Sequence, residues 1–367
     1  MKFVISRDLI LPSLQQIVSV IEKKQTMPIL ANVLLETSDN GLIMTGSDAE
    51  IQIVSKLYCD AIDTQGEITV PARKFLDICR LSPNGSEIKF ESQEDKVKLS
   101  SGRSRFSLNT LPAEIYPEFN ESQFEYQIVV NAGKFKKGLD KTLFCMANQD
   151  VRYYLNGLLL NVSNSKLKLV ASDGHRLSIF EDEIGEATGY EARIIIPRKA
   201  VQELSRLLED PKEELHIQFS SNHLKVSYKE ITFSSKLIDA KFPDFGKVFN
   251  QAFKKPLLIQ KQLLREALSR VAILSNEKYK GVTFFVSGDL LKLSTHNPEH
   301  DEAEEELIID HTGESFSISF NSQYMLDAVN NLDSELAVLT IASNASTCFI
   351  EEPEQPRFKF IVMPMRM

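Results

Sequence analysis

The sequence contains only four cysteines, and they are far apart. Cys59, Cys79, Cys145 and Cys348 form no C-x-x-C pair, so they indicate neither a zinc motif nor a disulfide framework. We expect them to be reduced thiols of a cytosolic protein. No apolar run approaches the ~20 residues of a membrane span. Arg7 and Asp8 interrupt the first apolar residues before they reach signal-peptide length.

Motifs for nucleotide and metal chemistry are also missing. The chain has no P-loop and no G-x-G-x-x-G. Residues 296–300 match the H-x-x-E-H pattern of one zinc-protease class. That pattern needs a helix, and Pro298 disfavours one, so we interpret the segment as a turn. His175 and Asp173 are two residues apart and could suggest a catalytic pair, but the sequence offers no nucleophile motif to go with them. We expect no catalytic site, no metal and no cofactor.

A long internal repeat organises the 367 residues. Stretches 42–53, 166–180 and 290–307 each alternate apolar and polar residues around a turn at Asp48, Asp173 or Asn297. The offsets between these turn residues are 125 and 124 residues. Because a period this long equals a domain, we predict three α+β domains at 1–125, 126–251 and 252–367. Each is predicted to contain two helices and about eight short antiparallel strands.

The helices differ from the rest of the chain in charge. The whole chain has a formal net charge of −9, whereas the six predicted helical segments sum to +9 and leave −18 for the remainder. Lys134, Lys137 and Lys141 are predicted to lie opposite the apolar stripe of their helix. If the helices share one side, that side would attract a polyanion such as duplex DNA, through phosphates and without sequence preference. Ordinary solvated helix faces are the alternative.

Five sequence blocks, together with the triplication, resemble the family of bacterial sliding clamps, the beta subunit of DNA polymerase III. They are SGRSRFSL (101–108), QDVRYYLNG (149–157), DGHRL (173–177), AILSNEK (272–278) and VMPMRM (362–367). The resemblance implies a head-to-tail homodimer in which six domains form a ring, with helices lining the hole. It further implies a non-enzymatic processivity factor in the cytoplasm, associated with the nucleoid and loaded by an ATP-driven clamp loader. The alternative is an enzyme that acts on nucleic acid and uses the ring only as a scaffold.

The resemblance also implies three sets of site residues. The dimer interface would join the first domain of one copy to the third domain of another, with Phe106 packing on Ile273 and Leu274. Arg103 and Arg105 would face an acidic run. The full set is Arg103, Arg105, Phe106, Leu108, Ile273, Leu274, Glu299, Asp301, Glu302 and Glu305.

A pocket between the second and third domains would bind short peptides that carry Gln, Leu and Phe. Such peptides would belong to the polymerase III alpha subunit, the clamp loader, other polymerases, ligase and mismatch-repair proteins. The pocket residues would be Leu155, Ser172, Gly174, His175, Arg176, Leu177, Pro243, Lys247, Val248, Asn321, Tyr324, Val362, Met363, Pro364, Met365, Arg366 and Met367. Lys247, Ser172 and Met367 depart from the arginine, threonine and leucine that are common in the family.

DNA contacts would come from loops at one face of the ring and from the helices. The expected residues are Lys23, Lys24, Arg73, Lys137, Lys141, Gln149, Arg152, Tyr153, Tyr154, Arg198 and Lys199. The two tyrosines could stack or hydrogen-bond at the duplex edge. The alternative is that they are ordinary aromatic residues at a strand end.

Overall fold

The structure is a computed structural model that describes residues 1–22, 27–38, 41–59, 61–119, 123–185, 187–354 and 357–365. The chain divides into two compact units. The first contains residues 1–136 and 199–237, and the second contains residues 137–198 and 238–367. The division falls within one helix, 132–142, and at the start of another, 198–207.

The elements follow one another in three similar series. The first series is β1 Lys2–Ser6, α1 Arg7–Val20, β2 Asn32–Ser38, β3 Gly41–Ser47, β4 Ile51–Leu57, β5 Ala61–Thr64, β6 Gly66–Pro71, α2 Ala72–Leu81, β7 Glu87–Gln93, β8 Lys96–Ser101 and β9 Ser104–Asn109. The second is β10 Tyr126–Asn131, α3 Ala132–Thr142, β11 Gly157–Ser163, β12 Lys166–Ser172, β13 Arg176–Glu183, β14 Glu191–Pro197, α4 Arg198–Leu207, β15 Glu214–Phe219, β16 His223–Tyr228 and β17 Ile231–Lys236. The third is β18 Leu257–Gln260, α5 Lys261–Val271, β19 Gly281–Ser287, β20 Leu290–His296, β21 Glu302–Ile308, β22 Phe316–Asn321, α6 Ser322–Asn330, β23 Leu336–Ile341, β24 Cys348–Glu351 and β25 Phe358–Val362.

These series confirm the predicted plan of two helices and about eight strands. Two helices occur in every series, and the first series has one extra strand, β5, which pairs with β1. Short 3₁₀ turns accompany them, including 143–145 after α3 and 272–274 after α5.

The first unit contains two antiparallel sheets. One has five strands in the order β5-β1-β7-β8-β9, and the other has eight in the order β10-β15-β16-β17-β4-β3-β2-β6. The eight-stranded sheet joins strands of the first and second series because β4 pairs with β17. Phe233 lies opposite Ile53 in that ladder.

The second unit repeats this arrangement. Its eight-stranded sheet has the order β14-β11-β12-β13-β25-β24-β23-β18, and its four-stranded sheet has the order β21-β20-β19-β22. Here β13 pairs with β25, and Phe360 lies opposite Ser178. The strands β9 and β21 are therefore end strands, although their counterparts in the repeat are paired inside a sheet.

Hydrogen bonds from backbone N–H groups to Asp or Asn side chains stabilise the three turns that define the repeat. Oδ1 of Asp48 accepts from the N–H groups of Glu50 and Ile51 at 2.9 and 2.7 Å. Oδ1 of Asp173 accepts in the same way from His175 and Arg176, and Oδ1 of Asn297 accepts from Asp301. Carboxylate and amide side chains stabilise such turns because they replace a backbone acceptor. The predicted turn at 296–300 is confirmed.

Helix starts were predicted less well. The apolar stripe from Leu14 to Ile21, with Pro12 suited to a first turn, predicts a helix over Pro12–Ile21, whereas α1 begins at Arg7. The hydroxyl of Ser6 caps this helix by accepting from the Asp8 N–H at 3.3 Å, and Pro12 lies inside it. Asn131 caps α3 by accepting from the Lys134 N–H, and Asn321 caps α6 by accepting from the Gln323 N–H.

The cores consist of the apolar faces of the helices packed on the sheets. In the second unit a large cluster includes Leu264 and Leu268 of α5, Phe284 of β19 and Met325 of α6, all fully buried. All four cysteines are buried thiols, and burial raises the pKa of Cys79 to about 12. Among the residues that the structure describes, no helix has the length and apolar character needed to cross a membrane.

Candidate functional site

The turn between β12 and β13 is the centre of the site, and glycine at position 174 shapes it. Gly174 has a positive φ of +89°, a conformation that side chains disfavour. A Cβ at this position would lie 2.6 Å from a terminal nitrogen of Arg152. Arg152 donates to the carbonyl of Asp173 at 3.0 Å, so the segment before β11 is attached to the turn.

Arg176 is surrounded by acceptors. Its Nε donates to Asp173 Oδ2 at 2.9 Å, and its Nη1 donates to Asp327 Oδ2 on α6 at 2.6 Å. Nη2 donates to the carbonyl of Phe144 at 2.9 Å. The guanidinium lies 4.4 Å from the centroid of the Tyr324 ring, and only 13% of the side chain is exposed. Charge-assisted hydrogen bonds and a cation–π contact thus hold this side chain in one place.

The C-terminal segment forms the wall beside this arginine. The N–H of Met363 donates to the carbonyl of His175 at 2.9 Å, and the N–H of Met365 donates to the carbonyl of Ser319 at 2.7 Å. The ring of His175 stacks on Tyr324 with centroids 6.4 Å apart. Met363 itself is exposed, so its flexible thioether side chain is free to contact a ligand.

An apolar floor lies on the same sheet. Leu159, Val170 and Ile179 form a buried cluster on β11, β12 and β13. Leu177 and the phenylalanines at 242, 245 and 249 pack against this cluster and remain partly exposed. An apolar floor next to a wall of backbone and aromatic groups suits an extended apolar peptide.

The structure brings most of the predicted pocket residues together within the second unit. Ser172, Gly174, His175, Arg176 and Leu177 come from one hairpin. Pro243, Lys247 and Val248 lie on the segment that carries the packed phenylalanines. Asn321 caps α6, and Tyr324 belongs to the first turn of that helix. Val362, Met363, Pro364 and Met365 belong to the tail, and Leu155 is buried. Arg366 and Met367 lie outside the described residues.

The predicted DNA loop is compact and polar. Arg152 makes two hydrogen bonds to the carboxylate of Asp150, at 3.0 and 2.8 Å, and these lower the pKa of Asp150 to about 2. The rings of Tyr153 and Tyr154 contact edge to face at 6.0 Å, and Tyr153 is exposed. Gln149 is exposed with a positive φ of +56°. Lys23 and Lys24 lie outside the described residues.

Several basic residues of the helices bind carbonyls at helix ends. Arg73 donates to the carbonyl of Ile21 at 2.7 Å, and Arg198 donates to that of Met146 at 2.6 Å. Lys261 donates to the carbonyl of Leu332 at 2.6 Å. Cations are favourable at helix C-termini because they neutralise the dipole and the unpaired carbonyls. Part of the positive charge of the helices therefore serves to stabilise helix ends.

One prediction about these cations was wrong. We expected Lys141 on the solvated face opposite the apolar stripe, but it is buried. Its ammonium lies 2.6 Å from Asp333 Oδ1 and also donates to the carbonyl of Asn331. The reason is tertiary, since α3 carries Lys141 into contact with the segment after α6. Lys137 pairs with the same aspartate at 2.7 Å, and Lys199 pairs with Glu22 at 2.6 Å and with Asp48.

The predicted interface residues occupy end strands and exposed turns. Arg103 lies beside β9, and Arg105, Phe106 and Leu108 belong to it. Ile273 and Leu274 belong to the 3₁₀ turn after α5, and Ile273 is 76% exposed. Glu302 and Glu305 belong to β21, while Glu299 and Asp301 lie in the turn before it. Glu305 already accepts from Arg270 at 2.5 Å.

Comparisons with known proteins agree with this architecture over the full length. Models of the N-terminal, central and C-terminal domains of the DNA polymerase III beta subunit match residues 1–120, 129–244 and 246–366. The chain belongs to the DNA polymerase III beta subunit family. The beta sliding clamps of Pseudomonas aeruginosa and Escherichia coli K12 are each 40% identical to it over 367 residues, with both chains covered completely.

Solved structures of family members have the same fold. The DNA polymerase III subunit beta from Pseudomonas aeruginosa matches with a TM-score of 0.97 and 40% identity, and both chains are covered completely. A structure from Caulobacter crescentus matches with a TM-score of 0.94 and 33% identity, again over both complete chains. The three-domain clamp fold and the family of sliding clamps, accessory subunits in replication, are thus confirmed for this chain.

Sequence reasoning missed two residues that hold the candidate pocket. Asp327 accepts from Arg176, and the Phe144 ring lies 5.5 Å from the same guanidinium. One signal was available for Asp327. Residues 321–333 are one of the six predicted helical segments, and they differ from the other five in having a net negative charge, from Asp327 and Asp333.

Proposed function

We propose that two copies of this chain close into a ring around duplex DNA and tether the replicative polymerase to it. Each copy contributes three domains, at 1–125, 126–251 and 252–367. The ring has no catalytic site of its own, and an ATP-driven clamp loader opens it. The observation that carries the proposal is which strands of the repeat pair with each other.

Each junction between domains within the chain pairs strands from the same two positions of the repeat. The strands β4, β13 and β21 occupy the same place in the three series, and so do β9, β17 and β25. Within the chain, β4 pairs with β17 and β13 pairs with β25. The strands β21 and β9 remain as end strands with the same design. A β21 edge of one copy therefore matches the β9 edge of another copy, and end strands favour such addition.

A phenylalanine recurs at the same position of every repeat, and it is buried where the junction forms within the chain. Phe106, Phe233 and Phe360 recur at intervals of 127 residues. Phe233 and Phe360 are 0% and 1% exposed, whereas Phe106 is 37% exposed. The ring of Phe360 lies 5.4 Å from that of Phe144, which is the middle residue of the 3₁₀ turn after α3. Ile273 is the middle residue of the equivalent turn. Packing of Phe106 on Ile273 of a second copy would bury both.

The internal ladders also give a register for the interface. Ser178 lies opposite Phe360, and its equivalent on β21 is Ala303, so Phe106 should lie opposite Ala303. Arg105 then lies opposite Glu304, and Arg103 lies opposite Glu306. Opposite charges across strands stabilise a pairing and exclude shifted registers. This register refines the acidic partners that the resemblance implied.

Head-to-tail addition is symmetric only if it closes. Joining β21 to β9 twice uses the β21 edge and the β9 edge of both copies, so neither of these two edges is left in a dimer of six domains. Enclosure of DNA would then make strong contacts unnecessary.

We propose that DNA contacts come mainly from the loop with Gln149, Arg152 and Tyr153. Tyr154, Arg73, Arg198, Lys137 and Lys199 stay in the proposed set, the last four chiefly as contributors to the field. Lys137 and Lys199 keep 45% and 35% of their side chains exposed, so they can still attract phosphates. Lys141 is omitted because its ammonium is buried. Because some of these basic side chains already donate to backbone carbonyls, their contacts with phosphates should be weak and should permit sliding.

We propose that the pocket binds the Gln-Leu-Phe type peptides of polymerase III alpha, the clamp loader, other polymerases, ligase and mismatch-repair proteins. The exposed Met363, the apolar floor and the ordered backbone of the tail support an extended apolar ligand. We place the protein in the cytoplasm at the nucleoid.

The interface register can be tested by disulfide cross-linking. Arg105→Cys combined with Glu304→Cys should give a covalent dimer after mild oxidation, because directly opposite residues lie within disulfide range. The control pairs Arg105→Cys with Glu302→Cys, two residues out of register. The native cysteines are buried and should not interfere. Absence of a covalent dimer in the first variant, or equal yields in both, would refute the proposed junction.

A further inference from the structure

This inference rests on the proposed peptide pocket and concerns the residue that holds its wall. Asp327 lies on α6, and both of its carboxylate oxygens are occupied. Oδ2 accepts from Arg176 Nη1 at 2.6 Å, and Oδ1 accepts from Gln323 Nε2 at 2.8 Å. The carboxylate is thus fixed on its own helix on one side and bound to the β12–β13 hairpin on the other.

Arg176 is held in place by contacts within the protein. Its three kinds of nitrogen donate to Asp173, Asp327 and the carbonyl of Phe144, and the side chain is 13% exposed. Three of its five N–H donors are thus used within the protein, in hydrogen bonds that hold the side chain in place. Its central carbon lies 4.4 Å from the centroid of the Tyr324 ring, and the ring of His175 stacks on the same tyrosine. Arg176 therefore supports the aromatic wall.

The other repeats show that this ion pair is not a general property of the fold. Asp77 and Glu203 occupy the positions equivalent to Asp327 on α2 and α4. Both pair with an arginine three residues later on their own helix. The position of Arg176 is Ile51 in the first repeat. An arginine on the strand and an aspartate on the helix are brought together at the junction that carries the pocket.

We propose that Asp327 is a positioning residue of the peptide pocket. Together with Asp173 it holds the Arg176 guanidinium against Tyr324. This fixes the ring on which His175 stacks, and the carbonyl of His175 binds the tail. Without the carboxylate, Arg176 retains Asp173 but loses the contact that draws it towards α6. The wall then has more than one arrangement, and peptide binding has to select one of them.

The test is calorimetric binding of a synthetic peptide of about six residues that carries Gln, Leu and Phe. Asp327→Asn keeps the shape of the side chain and removes its charge. We expect about tenfold weaker binding, the loss for one charge-assisted hydrogen bond in the wall. Asp327→Glu keeps the charge and should restore most of the affinity. Asp77→Asn, the equivalent change in the first repeat, is the matched control and should leave the affinity unchanged.

Repeating the substitution in a second parent protein distinguishes a positioning role of Asp327 from a general contribution to stability. In an Arg176→Met protein, Asp327→Asn should cause no further loss of affinity, because the group that Asp327 positions is gone. Equal losses in both backgrounds would overturn the proposal, and so would an Asp327→Asn variant that binds like the parent. If Arg176→Met alone removes binding, the comparison of Asn with Glu at position 327 decides, and equal affinities overturn the proposal.

Thermal unfolding of each variant identifies one that is merely unfolded. Should Asp327→Asn lower the melting temperature below the assay temperature, the Glu variant and the Met background decide the question instead. Failure of the unaltered protein to bind the peptide at all would contradict the pocket itself. That outcome is distinguishable from failure of the role of Asp327, which requires a parent that binds.

Discussion

The ammonium of Lys141 lies 2.6 Å from Oδ1 of Asp333, and the lysine side chain is 9% exposed. The amphipathic pattern of α3 places this lysine on a polar face, but the face contacts the segment after α6. Burial raises the pKa of Asp333, and the hydrogen bonds from Lys137 and Lys141 outweigh this, so the net pKa is lowered. A cation that the pattern assigns to DNA thus stabilises the second unit.

Replacing this lysine should therefore affect stability rather than DNA binding. We expect Lys141→Met to lower the free energy of unfolding by about 1–3 kcal/mol, because the carbonyl of Asn331 loses its donor and Asp333 loses one partner. Urea unfolding followed by circular dichroism measures this. Retention on DNA should stay unchanged. Lys137→Met is the matched control and should be milder, since its side chain is 45% exposed. Normal stability with reduced DNA retention would show that Lys141 is a DNA contact after all.

The apolar centre of the proposed interface gives a second prediction. Ile273→Ala with Leu274→Ala should raise the dimer dissociation constant at least ~100-fold, because central apolar anchors dominate interface energies. Sedimentation equilibrium measures the mass. Leu263→Ala, an exposed leucine on the same helical segment, should leave the dimer intact. A dimer of unchanged strength in the double variant would remove these residues from the interface.

A charge exchange tests the register independently. Arg105→Glu should weaken the dimer because it places a negative charge opposite Glu304, and like charges across strands are unfavourable. Glu304→Arg in the same chain should restore the dimer. The combination of Arg105→Glu with Glu302→Arg serves as control. If that control restores the dimer as well as Glu304→Arg does, the charges do not set the register that we derived.

The tail should matter for peptide binding and not for assembly. Deleting residues 363–367 removes the N–H groups that bind the carbonyls of His175 and Ser319, together with the exposed Met363. We expect binding of a Gln-Leu-Phe peptide to fall below detection in calorimetry, while the dimer mass persists. Met363→Leu keeps the apolar surface and should retain binding. Unchanged affinity after the deletion would place the pocket elsewhere.

A pair of like charges gives a prediction for pH. Glu36 on β2 lies opposite Glu67 on β6, and burial raises the pKa of Glu36, as does the charge of Glu67. Because the folded state then binds a proton more tightly, this contribution to stability is present below the ordinary value of 4.5 and is lost as pH rises through the folded value.

Removing one charge should abolish this effect. Glu36→Gln should raise stability at neutral pH by about 0.5 kcal/mol, the scale for like charges across strands, and flatten the dependence on pH. Thermal unfolding from pH 4 to pH 7 measures both, with Glu87→Gln, opposite Ser6, as control. A parallel pH profile for Glu36→Gln and the parent would contradict this.

The sequence predicted what depends on local pattern and on the repeat. The turns at Asp48, Asp173 and Asn297 were predictable because their side chains act on the backbone two to four residues away. The plan of two helices and about eight strands followed from periodicity. The start of α1 was missed because the cap at Ser6 lies before the apolar stripe, and Pro12 suggested a start.

The rest depended on contacts between residues far apart in the chain. Lys141 meets Asp333 across 192 residues, and Arg176 meets Asp327 across 151. A helical pattern gives the face on which a side chain lies but not what packs on that face. For the same reason, the carbonyls that bind Arg73 and Arg198 could not be inferred from the charge of the helices.

Enclosure of DNA is the central claim, and one measurement tests it most directly. The protein is loaded onto nicked circular DNA with a clamp loader and ATP, and its retention in moderate salt is measured before and after the circle is cut. A ring should stay on circles and slide off the ends of linear DNA. Equal retention on both would mean that surface contacts alone hold the protein, and it would contradict the proposed function.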